Sequence, residues 1–118
     1  NLCAADSTTE ASYLRSSSLQ SFINLRRGQP GPLPPPIENF DSQMSTAEQQ
    51  MLEQISQCSA IGDIDTVEQQ TCQFIDRTGA DELMIVSSMF DHEKRLRSYE
   101  IGAEVKKRLA ASAKEDDR

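Results

Sequence analysis

The sequence lacks a long apolar segment. A membrane-spanning helix needs about 20 consecutive apolar residues, and no run in this chain approaches that length. The start, Asn1-Leu2-Cys3, has no basic flank before an apolar core, so it does not show the pattern of a signal peptide. We therefore expect a protein that makes no contact with a membrane.

Cysteine and clustered basic residues are also scarce. The three cysteines, Cys3, Cys58 and Cys72, match neither a zinc pattern nor a Cys-x-x-Cys redox pair. Cys58 and Cys72 fall on the apolar faces of predicted helices, which favours reduced core thiols and a cytoplasmic setting. The net charge is −7, and the longest basic cluster, Lys106–Arg108, lies near an acidic tail. This excludes the basic surface that nucleic-acid binding requires.

Helix-start signals divide the chain into segments. Ser7-Thr8-Thr9-Glu10 and Ser45-Thr46-Ala47-Glu48 are capping boxes, each followed by apolar residues at helical spacing. The first pattern runs to about Arg27, and the second is expected to break at 60–63. Asp65 is predicted to cap a third helix that ends at Gly79.

A final helix is predicted from Asp91, which is placed as its N-cap. Its inward side is expected to carry Leu96, Tyr99 and Ala103, with Val105 and Leu109 as further candidates. The charged residues 114–118 are predicted to form a frayed tail.

All five prolines lie between Gly28 and Pro36. Proline has no amide donor and a fixed φ, so this segment is neither helix interior nor central strand. Apolar residues follow at Ile37, Phe40 and Met44, which favours an ordered excursion over a free linker. We predict a Pro-rich insertion over residues 28–44.

Two apolar segments are predicted to be strands. Leu2-Cys3-Ala4-Ala5-Asp6 reads as the end of one strand, and Leu83-Met84-Ile85-Val86 has the uninterrupted apolar character of a strand buried on both faces of a parallel sheet. Strand, helices, strand and helix in this order belong to the α/β class. Because two strands cannot complete such a sheet, we expect a missing preceding segment or self-association to supply the rest.

Ligands of α/β proteins bind at the carboxyl ends of parallel strands. The candidate pocket-lining residues at these ends are Ala5, Ser87, Ser88, Met89 and Phe90. The structural alternatives are that the serines satisfy loop backbone groups and that Met89 and Phe90 pack in the core.

The chain's only histidine, His92, is the candidate catalytic side chain. A position near a helix N-terminus lowers the pKa of an imidazole and favours its neutral form. The alternative is a surface or capping residue. The sequence offers no Gly-rich phosphate loop, no Ser-His-Asp order and no distinct carboxylate pair.

Three stretches together resemble the luciferase-like monooxygenases, the flavin-dependent bacterial luciferase superfamily. They are Arg26-Arg27-Gly28 with Pro30 to Pro36, Thr78 to Leu83, and Asp91-His92 followed by Arg95 to Ser98. The resemblance extends over about residues 1–104. It implies that the chain is the C-terminal fragment of a (β/α)8 TIM barrel, mostly helical and with one or two parallel strands.

In that barrel residues 1–5 would be the seventh strand, residues 82–87 the eighth and residues 91 onward the last helix. The resemblance also implies flavin mononucleotide (FMN) or a related deazaflavin as cofactor, oxygen as co-substrate and a small organic substrate. This chain would contribute Ala5, Ser87, Ser88, Met89 and Phe90 to the mouth of the barrel, while most of the flavin site would come from earlier strands.

We therefore expect part of a flavin-dependent oxidoreductase or monooxygenase that is inactive by itself. The alternative is a non-catalytic, mainly helical interaction or structural module derived from such an enzyme. In that case self-association would have to cover the segment from Leu83 to Val86.

Overall fold

Helices form most of the computed structural model, which describes the backbone of residues 1–116 and the side chains of residues 1–113. The elements, in chain order, are β1 (Leu2–Ala4), α1 (Thr8–Arg26), α2 (Thr46–Ile55), β2 (Ala60–Gly62), α3 (Ile64–Thr78) and α4 (His92–Asp116). Single 3-10 turns at Phe40–Gln43 and Ser56–Cys58 lie on either side of α2.

The two strands are parallel, with Leu2 opposite Ala60 and Ala4 opposite Gly62. The predicted class, mostly helical with two parallel strands, is thus confirmed, but the second strand lies at Ala60–Gly62 and not at residues 82–86. The sequence pattern indicated only a helix break here. Three residues ending in glycine are too few to show the alternation that identifies a strand.

The apolar segment Leu83–Val86 is extended but is not a strand, so that prediction is wrong. It runs beside β1 on the edge opposite β2, and Leu2 N donates to Val86 O over 2.8 Å. Burial on both faces is also wrong in this chain, because Met84 is 92% exposed and Ile85 and Val86 are more than 40% exposed. Within the described residues, nothing covers the outer side of this segment.

Helices cover both faces of the small sheet. On one face, Leu2 and Ala4 form a core cluster with Val67 of α3 and with Ile101 and Val105 of α4. In a TIM barrel the helices form one outer ring on a single face of the sheet. In this chain α1 lies on the opposite face of the sheet from α3 and α4.

On the opposite face, Cys3 and Ala5 pack against Ala11 and Leu14 of α1 and against Met89. Cys3 is thus the buried cysteine, whereas Cys58 is exposed and Cys72 is only half-buried. The prediction that Cys58 lies in the core is wrong, because it falls in the turn after α2 and not on the helix's apolar face.

The predicted helix ends agree with the structure except at the end of α2, which lies at Ile55 and not near residue 60, and at the start of α3. Ser7 accepts from Glu10 N, and Ser45 and Glu48 form a complete capping box. Gly79 ends α3 in the left-handed conformation with φ of 66°. Asp91 Oδ1 accepts from Glu93 N over 2.9 Å at the start of α4.

The cap of α3 is Asp63, whose Oδ1 accepts from Thr66 N over 2.9 Å, so the prediction of Asp65 is wrong. Both aspartates are acceptable caps by residue type. The chain turns into the helix directly after β2, which places Asp65 in the first turn. There it pairs with Arg108 over 2.8 Å.

The inward side of α4 agrees with the prediction only in part. Leu96, Tyr99 and Ala103 are exposed, whereas the further candidates Val105 and Leu109 are buried and half-buried. The buried stripe consists of Ser98, Ile101, Gly102 and Val105. The polar and small members of this stripe, serine and glycine, do not signal burial in a sequence pattern. The predicted frayed tail stays a prediction, because the side chains of 114–118 and the whole of residues 117–118 lie outside the described residues. No helix in the described part of the chain is both long and apolar enough to cross a membrane.

Candidate functional site

The predicted pocket-lining residues divide into a buried and an exposed group. Ala5 and Met89 are buried in the core cluster beside Cys3, and Ser87 is 4% exposed. Ser88 and Phe90 are exposed. The structure thus places these residues in one region, but it leaves only Ser88 and Phe90 accessible in this chain.

Ser87 is held in a buried hydrogen-bond network along the edge of β1 that lies opposite β2. Its hydroxyl donates to Leu2 O over 2.8 Å and lies 2.9 Å from Ser98 Oγ. Ser98 Oγ in turn accepts from Ala4 N over 3.0 Å, so its own proton is free to point toward Ser87. The Ser87 amide donates to the hydroxyl of Tyr99 over 3.0 Å. Both serines therefore satisfy backbone groups that a neighbouring strand would otherwise pair.

His92 lies on the surface at the first turn of α4. Its Nδ1 is 2.8 Å from a guanidinium nitrogen of Arg95. Because a guanidinium only donates, Nδ1 accepts and any ring proton is on Nε2. The contact does not involve any of the predicted lining residues, and the catalytic role of His92 stays a prediction.

A cavity of about 470 Å³ opens between α1 and the Cys3 face of the sheet. We call it the α1 cavity. Its apolar lining includes Leu19 and Phe22 of α1, Leu33 and Ile61, and its polar lining includes Arg15, Ser18, Ser59 and Ser88. The sequence pattern did not indicate this site, because its walls come from five separate parts of the chain.

The Pro-rich segment supplies the outer wall of the α1 cavity. It is tied to α1 by two hydrogen bonds, from Gln20 Nε2 to Pro35 O over 3.0 Å and from Ile37 N to Ser16 Oγ over 2.8 Å. Arg27 at the end of α1 also pairs with Glu48 of α2 over 2.9 Å. These contacts hold the segment along α1 and shape the cavity.

Arg15 is the only charged side chain that lines the α1 cavity among the described residues. Its guanidinium donates to Ser56 Oγ. Burial lowers the pKa of Arg15, and the charges of Cys3 and Asp41 oppose this shift. No carboxylate lies within ion-pair distance of Arg15 in the part of the chain whose side chains are described.

The thiol of Cys3 lies at the inner end of the same face. Its Sγ donates to Ala11 O over 3.3 Å. Burial raises the pKa of Cys3 to about 11, against the lowering effect of the Arg15 charge. The thiol is therefore protonated at neutral pH and is not a nucleophile. Across residues 1–113, no three His, Cys, Asp or Glu side chains are grouped so that they could hold a metal ion.

Comparison with known proteins gives relatives of about three times the length of this chain. A protein of Escherichia coli (strain K12) named luciferase-like monooxygenase is 41% identical over 109 residues, which are 92% of this chain and 32% of that protein. The uncharacterized protein YvbT of Bacillus subtilis (strain 168) is 37% identical over 88% of this chain and 31% of its own length. No protein-family model matches the chain.

Among solved structures, the crystal structure of apo-MsnO8 superimposes with a TM-score of 0.66 and 24% identity. The match covers 89% of this chain and 32% of that chain. It shows a shared fold. The chain thus spans about a third of the length of the curated relatives it matches. The predicted resemblance is confirmed, and over nearly its whole length this chain is homologous to a part of the luciferase-like monooxygenases.

Proposed function

We propose that this chain is the C-terminal part of a flavin-dependent oxidoreductase or monooxygenase. The complete protein would be a (β/α)8 barrel that uses reduced FMN, or a related deazaflavin, and oxygen on a small organic substrate. The observation that carries the proposal is the 41% identity to a luciferase-like monooxygenase over 92% of this chain. Since the match covers only 32% of that relative, the activity would belong to the whole barrel.

The residues of this chain do not form a flavin site by themselves. A flavin needs a large apolar wall and several convergent polar groups. Ala5 and Met89 are buried, and the hydroxyl of Ser87 is already used by Leu2 O. Of the predicted pocket-lining residues, only Ser88 and Phe90 are accessible. We therefore assign no chemical step to this chain and expect earlier strands to hold most of the flavin.

The exposed segment Leu83–Val86 supports a larger sheet. Strands of parallel sheets are covered on both faces, and an apolar edge without a partner tends to pair with another strand. A neighbouring strand from the rest of the barrel would cover Met84 and Ile85. Barrel closure would also turn the face of Cys3 and Ala5 inward, so α1 would lie elsewhere in the complete protein.

The test compares the 118-residue chain with a longer protein that adds the preceding barrel strands. Each is titrated with FMN and followed by flavin absorbance after gel filtration. We expect no bound flavin and a tendency to aggregate for the short chain, and stoichiometric flavin for the longer one. A soluble monomeric short chain that binds one FMN would contradict the proposal.

The second candidate is a non-catalytic module that associates through the same exposed segment. The observation in its favour is the 92% exposure of Met84. In this case light scattering would show a defined dimer of the short chain, and Met84→Lys would return it to a monomer. Irregular aggregates, or a dimer that survives Met84→Lys, would contradict this candidate.

A further inference from the structure

The last helix, α4, carries a second apolar stripe besides the one that packs on the sheet. Leu96, Tyr99 and Ala103 follow one another at i, i+3 and i+7, the spacing of a single helix face. All three are exposed, Leu96 by 49% and Tyr99 by 39%. We call them the outer stripe. A helix with two apolar stripes is suited to contact with two partners.

The outer stripe lies on the flank of α4 that α3 does not occupy. Arg108 on the opposite flank pairs with Asp65 and Glu68 of α3 over 2.8 and 3.0 Å. Tyr99 is instead placed beside the extended segment 83–87, since its hydroxyl accepts from Ser87 N over 3.0 Å. That segment has an outer side that nothing in residues 1–113 covers. The outer stripe and the segment Leu83–Val86 therefore form one continuous uncovered surface.

Charge distinguishes the two flanks of α4 as well. Arg97 and Arg108, on the side of β1 and α3, both form ion pairs. Arg95 and Lys106 border the outer stripe, four residues before Tyr99 and three residues after Ala103, and neither forms an ion pair within residues 1–113. A partner on this flank would find two basic side chains without a carboxylate.

The groups nearest to these two basic residues do not pair with their charge. Arg95 donates to His92 Nδ1, a contact that supplies no negative charge. Asp81 and Glu82 line the same depression as Lys106, but no ion pair joins either of them to it among the side chains that the structure describes. The flank is therefore apolar along its middle and basic at its borders.

The part of the protein that would cover this flank follows from topology. Curated relatives are about three times as long as this chain. In a closed barrel another parallel strand would pair with the outer edge of Leu83–Val86, and the helix after that strand would lie on the same outer face as α3 and α4. Such a helix would lie directly along the outer stripe.

We propose that the outer stripe, with Arg95 and Lys106 at its borders, is the docking surface for this helix of the preceding part of the same polypeptide. The docked helix presents an apolar face to Leu96 and Tyr99 and carboxylates to the two basic side chains. The small side chain of Ala103 allows the two helices to approach closely. The inference rests on the proposed barrel, but it concerns the assembly of the barrel and not its chemistry.

The first experiment uses the longer protein that adds the preceding barrel strands. Ala103→Cys places a thiol in the outer stripe. Glu104→Cys is the matched control, because the next residue is also exposed but points about 100° away around the helix. Iodoacetamide labelling is followed by peptide mass spectrometry, which separates each new site from the native cysteines. We expect Ala103→Cys to react at least about tenfold more slowly than Glu104→Cys. Equal rates at the two sites would overturn the proposal.

The second experiment identifies what covers the outer stripe and does not depend on the cysteine variants. Leu96 of the longer protein is replaced by the photo-crosslinking amino acid benzoylphenylalanine, and the irradiated protein is run on a denaturing gel. We expect a cross-link within one polypeptide, at the mass of the monomer, which mass spectrometry maps to a helix of the preceding part. A product of dimer mass would show contact with a second copy instead, and this result or the absence of a cross-link contradicts the proposal.

Flavin absorbance of the same preparations separates this inference from the proposed function. Protection of Ala103→Cys without bound flavin would leave the docking surface in place and contradict the cofactor. Bound flavin together with equal labelling of Ala103→Cys and Glu104→Cys would contradict the docking surface alone.

Discussion

The two faces of the sheet are held by different forces. On the face of Leu2 and Ala4, α3 and α4 pack so closely that a Cβ at Gly102 would lie 2.8 Å from Leu2 Cδ2. On the face of Cys3, only the first half of α1 packs closely, and the α1 cavity lies under the second half.

Polar contacts hold the second half of α1 and the segments beside it in place. Among them are the Arg27–Glu48 ion pair and the Ile37–Ser16 hydrogen bond. Apolar burial does not change with the protonation of side chains, whereas an exposed ion pair is weakened by salt and by protonation of its carboxylate. The close-packed face therefore contributes more to the stability of the fold than the face of Cys3 does.

The largest effect is expected from Gly102→Val on the close-packed face. The new side chain would meet the Cδ2 end of the Leu2 side chain, which is flexible but buried, and we expect the free energy of unfolding to fall by about 2–3 kcal/mol, within the range of overpacking costs. Urea unfolding followed by circular dichroism measures this loss. Gly31→Val is the matched control, because nothing lies within 4 Å of that position. Equal urea midpoints for the two variants would show that the faces do not differ in packing.

A smaller loss is expected from Ser98→Ala, which leaves Ala4 N and the Ser87 hydroxyl with one partner fewer. Unsatisfied buried groups of this kind cost about 2 kcal/mol, and Ser98 is fully buried. The same urea experiment measures the change. Ser112→Ala, at an exposed position on α4, should have no effect. If Ser98→Ala is as stable as wild type, the hydrogen bonds of Ser98 do not add to the free energy of unfolding.

The smallest effect concerns the face of Cys3 and depends on pH. The hydrogen bond from Arg27 and that from the Ser45 amide lower the pKa of Glu48 from 4.5 to about 2. Because the pKa is lower in the folded state, the ionised carboxylate stabilises the fold above about pH 4.5. This contribution is lost as the pH falls from about 4.5 to 2.

We therefore expect the melting temperature of wild type to exceed that of Glu48→Gln slightly at pH 6, and the difference to vanish near pH 2. Differential scanning calorimetry between pH 2 and 7 measures both. Glu53→Gln on the same helix is the control. Since Glu48 is part of an exposed pair, the effect is small. A constant difference at every pH would mean that Glu48 acts by its shape and not by its charge.

Local signals in the sequence predicted the helix ends well. The capping boxes at Ser7 and Ser45, the left-handed Gly79 and the Asp91 cap each depend on a few neighbouring residues, so they can be found in a sequence. The choice between Asp63 and Asp65 could not be made in this way, because it depends on where β2 ends.

Features that join distant segments were predicted poorly. The apolar run Leu83–Val86 has the composition of a buried strand, but burial requires neighbours that the described residues do not contain. Arg15 and Ser98 gave no signal, because one looks like a surface charge and the other like a surface hydroxyl. Both acquire their roles from segments that are at least 40 residues away in the chain, Ser56 for Arg15 and Ala4 for Ser98.

The buried thiol of Cys3 allows the rate at which α1 detaches from the sheet to be measured. Alkylating reagents react with thiolates, and Cys3 is both covered by α1 and protonated, since its pKa is raised to about 11. Cys58 is exposed and would be modified first, which provides an internal reference once the half-buried Cys72 has been replaced by serine. The delay between the two modifications records how often α1 lifts from the sheet, without any label added to the chain.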